Sequence, residues 1–391
     1  MKKTFALLLA LVMLLALSAC GGQTTPAPAT DAPEAPDDGP VVDTPPAAEA
    51  EMMVAMITDY GDITDQSFNQ TTYEAAKAWC EANGVTFTYF KPASDSDADR
   101  VSMIENAIDK DFNVIIMPGY AFANAIAATV EEYPDVTFIA LDVSEFDLNS
   151  AGLTEFPANL YSAVYQEELC GYMAGYAAVK LGYTKLGFLG GMAVPAVMRY
   201  GYGFVQGAND AAVETGAEVS INYAYGNQFY GDADITAAMD TWYYGGTEIV
   251  FACGGGIYNS AGEAAAKVGG KVIGVDVDQK ATIDGLYGEG MTVTSAMKGL
   301  GATVNTLLEQ VKDGSFEGGL VDNLGLVSEN PEENYVQIPL STQFSDSFTE
   351  EDYYDLVAAM YNGEITVSND ISLTASDFAT DIALNDLGNL K

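Results

Sequence analysis

The residues best suited to chemistry lie in one short segment, Asp62 to Asn69 (DITDQSFN). It brings together the Asp65 carboxylate, the Phe68 ring and the Asn69 amide. These groups accept hydrogen bonds, stack on flat molecules and donate hydrogen bonds, so the segment predicts a binding site for a small organic molecule. An alternative stays open, in which Asp65 or Ser67 caps a following helix and Phe68 packs beside it.

A second candidate is a pair of carboxylates, Asp276 and Asp278, at the end of an apolar run. Residues two apart on a strand face the same side, and paired carboxylates can act as acid and base. The alternative is a solvated strand end. The chain has no histidine, which excludes Ser-His-Asp and Cys-His catalysis and histidine-ligated zinc. Composition does not exclude a hydrolase that uses only Asp and Glu. Nothing else in the chain indicates one, and we predict no enzyme, no cofactor and no metal site.

The net charge and the cysteine content of the chain limit its possible partners and cross-links. The formal net charge of −41 excludes nucleic acid as a partner, because its phosphates need Lys and Arg. After Cys20, only Cys80, Cys170 and Cys253 remain, with no close pairing. Small buried thiols are therefore expected rather than a disulfide framework.

The candidate residues need a scaffold, and the pattern of apolar runs predicts one. Short apolar runs alternate with helix-length segments, which is typical of an α/β fold with parallel strands. At the carboxyl ends of such strands, loops converge on a crevice that holds ligands. The predicted strands are Val54–Thr58, Val85–Phe90, Val114–Pro118, Val136–Leu141, Lys185–Gly190, Glu218–Tyr225, Glu248–Cys253, Lys271–Asp276, Met291–Met297 and Leu320–Val327.

The strands fall into two similar halves, which predicts two lobes with a cleft between them and a hinge where the chain recrosses. Residues 51–160 are predicted to form lobe 1, with 291–318 returning to it. Residues 161–290 are predicted to form lobe 2, with 319–370 returning to it. A long helix is expected over Tyr161–Lys180. Residues 371–391 form a C-terminal extension, predicted to be either disordered or docked through Phe378.

The amino terminus predicts the location. Lys2 and Lys3 precede a short apolar run, so residues 1–19 are predicted to be a signal peptide rather than a membrane anchor. The residues that end at Cys20 resemble a bacterial lipobox, which implies a lipidated Cys20 on the extracytoplasmic face of the cell membrane. Residues 20–50, rich in Pro, Ala and Asp, are predicted to be a disordered linker.

Several motifs together resemble one family. They are YGDITDQSFN (60–69), YPDVTF (133–138) leading to Leu141-Asp142, GFLGGM (187–192), and IGVDVDQ (273–279) leading to TSAMK (294–298). In order and spacing they are similar to the basic membrane protein family, also called Med or PnrA-like. The resemblance implies a type I periplasmic-binding-protein fold, with two Rossmann-like lobes, a hinge and a central cleft. It also implies a lipoprotein that delivers purine nucleosides to an ABC transporter.

The resemblance implies ligand-binding roles in the first lobe for Asp65, Phe68, Asn69 and Asp142. Phe68 would stack on the base and Asn69 would bond its edge, while Asp142 would accept from ring N–H groups. An alternative for Asp142 is a capping or helix-dipole role.

In the second lobe the resemblance assigns Phe229 as the second stacking ring, although Tyr225 or Tyr230 could take its place. Gly255, within the triplet 254–256, would bring backbone N–H groups to the sugar, although a glycine triplet alone is usually a loop. Asp276 and Lys298 would bind the ribose. Their alternative is a mutual salt bridge at the hinge, and both roles can hold together.

The implied function is a substrate-binding protein that captures a purine nucleoside in the interlobe cleft. Its partners would be an ABC permease and ATPase, and its membrane contact only the N-terminal lipid. The alternatives are a binding protein for a sugar or other small polyol, and a ligand-sensing surface lipoprotein. The chain departs from the family pattern at Ala193, Met198, Gly201, Ile257 and Tyr258, which we expect near the mouth of the second lobe, where they bear on the identity of the ligand more than on the fold.

Overall fold

The computed structural model describes residues 51–391. The predicted signal peptide, the predicted lipidation site Cys20 and the predicted linker lie outside this range. Within it, no helix is both long and apolar enough to cross a membrane. Residues 51–391 form one compact unit.

The predicted α/β class is confirmed, since strands and helices alternate along the chain. Apolar, mostly buried runs form the central strands, as in β3, in which every residue is buried. The strands are β1 (Met53–Ile57), β2 (Thr86–Phe90), β3 (Val114–Pro118), β4 (Thr137–Leu141), β5 (Leu160–Tyr165), β6 (Lys185–Gly190), β7 (Ser220–Tyr225), β8 (Ile249–Cys253), β9 (Lys271–Asp276), β10 (Thr292–Lys298), β11 (Leu320–Leu324), β12 (Val336–Gln337) and β13 (Ala383–Asn389).

Helices cover the sheets, and residues that favour helix capping stand at several helix ends. The side chain of Ser144 caps one helix in a reciprocal pair with Asp147, and Gly84 ends another at φ 68°, a conformation that glycine adopts without strain. The helices are α1 (Phe68–Asn83), α2 (Asp97–Ile108), α3 (Ala123–Thr129), α4 (Glu145–Ser150), α5 (Glu167–Lys180), α6 (Pro195–Thr215), α7 (Ala233–Tyr244), α8 (Tyr258–Ala266), α9 (Lys280–Tyr287), α10 (Leu300–Asp313) and α11 (Glu350–Tyr361).

The strands form two sheets, one in each lobe. The lobe 1 sheet has the order β11-β5-β4-β3-β1-β2, and the lobe 2 sheet has the order β12-β10-β9-β8-β6-β7-β13. All pairs are parallel except β10 with β12. In each sheet, the carboxyl ends of the parallel strands lie at the same edge. The loops that follow these strands in the two lobes can therefore meet between the two edges.

The predicted return crossings are wrong in part. β10 stays in lobe 2, because its buried apolar residues pair with β9, and only α10 packs on lobe 1, against α1. β11 belongs to lobe 1 rather than lobe 2, because it pairs with β5 in parallel. The expected long helix over Tyr161–Lys180 is also wrong. Its first part is β5, buried between β4 and β11, and α5 begins only at Glu167.

The chain therefore crosses between the lobes at three places, after β5, after β10 and after β11. Backbone hydrogen bonds join these crossings: Gly299 N donates to Tyr335 O (2.7 Å), and Tyr335 N donates to Gly325 O (3.0 Å). A side chain at Gly325 would overlap the end of the Gln166 side chain, which would have to move. The crossings form one connected hinge.

The C-terminal extension is docked on lobe 2. β13 pairs in parallel with β7 and extends the sheet edge, while the ring of Phe378 lies 5.3 Å from that of Tyr202. Lys391 pairs with Asp232, which caps α7 at the end of the loop that follows β7. Of the two alternatives for this segment, the docked one describes the structure.

Candidate functional site

A cavity of about 590 Å³ lies between the carboxyl edges of the two sheets. The ligand-binding residues that the sequence predicted in the described range all line it, from both lobes. They are Asp65, Phe68, Asn69, Asp142, Phe229, Gly255, Asp276 and Lys298. The structure thus brings together side chains separated by more than two hundred residues, although it does not by itself assign them a ligand.

Asp65 organises the first turn of α1. One of its oxygens accepts from Ser67 N (2.9 Å) and Gln70 N (3.0 Å), and the other accepts from Asn69 N (3.0 Å). Burial raises the pKa of Asp65, although these hydrogen bonds oppose the shift. The capping alternative thus describes Asp65. It does not describe Ser67, whose side chain makes no cap.

Asn69 lines the cavity, and its amide orientation is set by Asp65. Its Nδ2 donates to Asp65 Oδ2 (3.2 Å), and because a carboxylate only accepts, the amide orientation is fixed. The Oδ1 atom of Asn69 is buried and has no hydrogen-bond partner among residues 51–391. A buried polar atom without a partner costs free energy that a ligand donor would recover.

Lys298, at the end of β10, is the centre of a buried charge network. Its Nζ lies 2.5 Å from Asp142, 3.3 Å from Glu167 and 3.8 Å from Asp276. Burial alone would lower the pKa of Lys298, but the three carboxylates outweigh it and raise the pKa. The salt bridge expected between Lys298 and Asp276 is the longest of the three contacts.

Asp142 and Asp276 occupy matching positions at the ends of β4 and β9. Both adopt left-handed backbone conformations, at φ 61° and φ 65°, which Asp tolerates better than most residues. Burial raises the pKa of Asp142 to about 6 despite the Lys298 charge. Its Oδ1 is buried without a partner among the described residues. Asp276 accepts from Ser67 Oγ (2.5 Å) and Tyr200 OH (3.3 Å).

Phe229 lies in the loop between β7 and α7, against glycines. A side chain at Gly191 would overlap the Phe229 ring, and Gly256 N donates to Phe229 O (2.8 Å). The glycine triplet therefore makes room for the loop that carries Phe229. Of the alternative rings, Tyr225 packs in the core and bonds Tyr223, whereas Tyr230 is exposed and lines the cavity.

The proposed carboxylate pair is wrong. Asp278 is exposed, accepts from Ser341 Oγ (2.6 Å) and lies outside the cavity lining, because the backbone turns after Asp276. Of the positions at which the chain departs from the family pattern, Tyr258 lines the cavity, whereas Ala193, Met198, Gly201 and Ile257 lie outside the lining. One of the five departures, Tyr258, therefore forms part of the described cavity wall.

Sequence reasoning missed Glu167, Glu168 and Arg199. Arg199 Nε lies 2.7 Å from Glu167 and 3.9 Å from Glu168, and Glu167 links this pair to Lys298. Burial would raise the pKa of Glu167, but Arg199 and Lys298 outweigh it and lower the pKa. The adjacent acids Glu167 and Glu168, directly after β5, were an available signal in the sequence. No local pattern marks Arg199.

Glu168 makes folding stability depend on pH. Burial raises its pKa to about 7, so between the unfolded-state pKa and 7 the native state binds more protons than the unfolded state. Stability should fall as pH rises through this window, and between pH 5.5 and 8.0 Glu168→Gln should remove about 2 kcal/mol of that loss. Urea unfolding at pH 5.5 and 8.0 measures it, with the exposed Glu351→Gln as control. An unchanged pH dependence in Glu168→Gln would contradict the assignment.

The sequence and the fold are similar to those of known proteins. The family model described as "ABC transporter substrate-binding protein PnrA-like" matches residues 52–370. The "ABC transporter nucleoside-binding protein BmpA" of Lactococcus lactis is 29% identical over 297 residues, which cover 70% of this chain and 78% of that protein. An "uncharacterized lipoprotein" of Pyrococcus horikoshii is 24% identical, over 70% of this chain and 66% of that protein.

Among solved structures, an ABC transporter solute-binding protein from Conexibacter woesei superposes with a TM-score of 0.63 at 22% identity, covering 81% of this chain and 99% of that one. This similarity confirms the predicted type I periplasmic-binding-protein fold. The family match spans all but the ends of residues 51–391. The chain belongs to the PnrA-like family of ABC transporter substrate-binding proteins.

Proposed function

We propose that this protein captures a purine nucleoside in the cavity between its lobes and delivers it to an ABC permease and ATPase. The single observation that carries the proposal is the pair of buried acceptors without partners, Asn69 Oδ1 and Asp142 Oδ1, in a cavity that Phe68 and Phe229 also line. Aromatic rings suit the faces of a base, and free acceptors suit the N–H groups on its edge.

The charge of the cavity favours a nucleoside over a nucleotide. Its lining contains seven carboxylates and two cations, and both cations already pair with buried acids. A phosphate group would enter a site of the same sign and find no free cation among the residues that line the cavity. The lining carboxylates are Asp59, Asp62, Asp65, Asp95, Asp142, Asp147 and Asp276, and the cations are Arg199 and Lys298.

The proposal includes the location. Cys20 would carry the lipid that holds the protein on the extracytoplasmic face of the membrane, with residues 20–50 as the linker to the folded body. The names of two relatives, a nucleoside-binding protein and a lipoprotein, agree with this assignment.

Thermal unfolding of the full-length chain in detergent, with a panel of nucleosides, bases, nucleotides and sugars, tests the proposal. A ligand at 100 times its Kd adds about 2.7 kcal/mol of stability, which raises the melting temperature. We expect a shift with purine nucleosides and none with the matching nucleotides. A shift with a sugar alone would support the polyol alternative, and no shift with any nucleoside would contradict the proposal.

The two free acceptors also predict a preference among purines. Guanine offers two adjacent donors, N1–H and the 2-amino group, whereas the edge of adenine offers one donor between two acceptors. Guanosine should therefore bind more tightly than adenosine at pH 7.5, where Asp142 is ionised. Asp142→Asn should shrink the difference in Kd, measured by calorimetry. Tighter binding of adenosine by the wild-type chain would contradict this prediction.

A further inference from the structure

Beside the cavity, the loop before α1 in lobe 1 contacts lobe 2 directly. Gln279 Nε2 donates to the backbone oxygen of Gln66 (3.0 Å), and Thr282 Oγ1 donates to Gln66 Oε1 (3.1 Å). One residue further, Ser67 Oγ donates to Asp276 Oδ2 (2.5 Å). These hydrogen bonds join residues more than two hundred positions apart and cross from one sheet to the other.

Gln66, Gln279 and Thr282 are separate from the ligand-binding surface, because none of them lines the cavity. A bound ligand therefore gains nothing from touching them. Whatever these hydrogen bonds contribute acts on the relative position of the lobes.

Gln279 and Gln66 are each also held by hydrogen bonds within their own lobe. Gln279 is 1% exposed, and its Oε1 accepts from Val275 N (3.0 Å), so its Nε2 is aimed outward from the end of β9. Gln66 has a left-handed backbone at φ 56°, and its N and Nε2 both donate to Gln70 Oε1, at 3.0 and 2.6 Å. Prepositioned donors and acceptors lose little freedom when they bond.

Separating the lobes would break these contacts. Gln279 Nε2 has no second partner within residues 51–391 and would depend on water in an open cleft. We propose that Gln66, Gln279 and Thr282 form a closure latch, a set of positioning residues that stabilises the closed cleft without ligand. Because apparent affinity scales with the closed fraction, the latch sets the affinity for every ligand by one common factor.

The test uses the full-length chain in detergent and the variants Thr282→Val and Gln66→Gly. Thr282→Val removes the hydroxyl donor, and Gln66→Gly removes the Oε1 acceptor of Thr282, keeps the backbone oxygen that accepts from Gln279, and tolerates the backbone conformation. Thr282→Ser, which keeps the hydroxyl, is the matched control. Spin labels carried by unnatural amino acids at exposed Glu131 in lobe 1 and Glu289 in lobe 2 report the interlobe distance.

Without ligand, we expect wild type and Thr282→Ser to show a closed population that Thr282→Val and Gln66→Gly lose. With ligand, the Kd values of guanosine and inosine should both rise, by the same factor of about three to ten, and dissociation should accelerate. Factors that differ between the two ligands would overturn the latch, since they would indicate contact with the ligand. Wild-type lobes that stay open without ligand, or variant distances equal to wild type, would also overturn it.

The affinity measurement rests on the proposed function, whereas the distance measurement does not. If no nucleoside binds to the wild-type chain, the proposed function fails, and the interlobe distances still decide whether the latch exists.

Discussion

Replacing Lys298 by methionine should destabilise the protein by about 3–5 kcal/mol at pH 8, because it leaves buried carboxylates without their cation. Asp142, Glu167 and Asp276 surround the Lys298 ammonium, whose side chain is 2% exposed. Methionine keeps most of the side-chain volume, so the loss reports charge rather than a cavity. Urea unfolding at equilibrium measures the change.

The loss should shrink at pH 5, because Asp142, with a pKa of about 6, can then be protonated and no longer needs a cation. Lys312→Met is the control, since Lys312 is exposed on α10 and should change stability by about 0.5 kcal/mol or less. If the two variants lose equal stability, Lys298 does not hold the buried network together.

The second large effect is on affinity. If Phe68 and Phe229 stack on the base as proposed, Phe68→Leu and Phe229→Leu should each raise the Kd of the nucleoside by about 5- to 100-fold, because each removes one of the two stacking rings. Leucine keeps an apolar side chain in the wall of the cavity. For Phe68 this matters, since its ring lies 4.7 Å from Lys298 Nζ and helps to shield the charge network. Calorimetric titration gives the affinities.

Tyr230→Leu is the matched control for Phe229, because Tyr230 is the next ring in the same loop but is 63% exposed. Its Kd should stay within about twofold of wild type, an effect too small for a stacked base. A large loss in Tyr230→Leu together with wild-type affinity in Phe229→Leu would move the second stacking role to Tyr230.

Much of the fold was predictable from the sequence, because buried parallel strands appear as apolar runs. The predicted bounds of β3, β6 and β9 agree with the structure residue for residue. β5 was mistaken for the start of a helix, because its residues, LYSAVY, continue without a turn signal toward the helix-forming residues of α5. Local pattern cannot separate a short buried strand from the start of a helix.

The assignment of late strands to lobes was not predictable, for a physical reason. β10 and β11 have ordinary strand sequences, and only pairing with β9 and with β5 decides which sheet each one joins. Such pairing depends on contacts between residues far apart in the chain, which no window of sequence contains.

The sequence predicted the site residues that belong to recognisable motifs. It missed the site residues that are brought together only by packing between distant elements. Phe68 and Asp276 stand in recognisable segments and line the cavity, whereas Glu167 and Arg199 meet only when α5 packs on α6. The interlobe hydrogen bonds of Gln66 belong to the second kind. The sequence therefore identified residues that line the cleft, together with the Lys298–Asp276 contact, but not the rest of the network around Lys298.

The most direct test of nucleoside capture is a crystal structure of the protein grown with saturating guanosine. The proposal predicts the base between Phe68 and Phe229, its donors at Asn69 Oδ1 and Asp142 Oδ1, and the ribose beside Asp276. A cavity that stays free of guanosine at saturation, or guanosine bound elsewhere on the molecule, would contradict it.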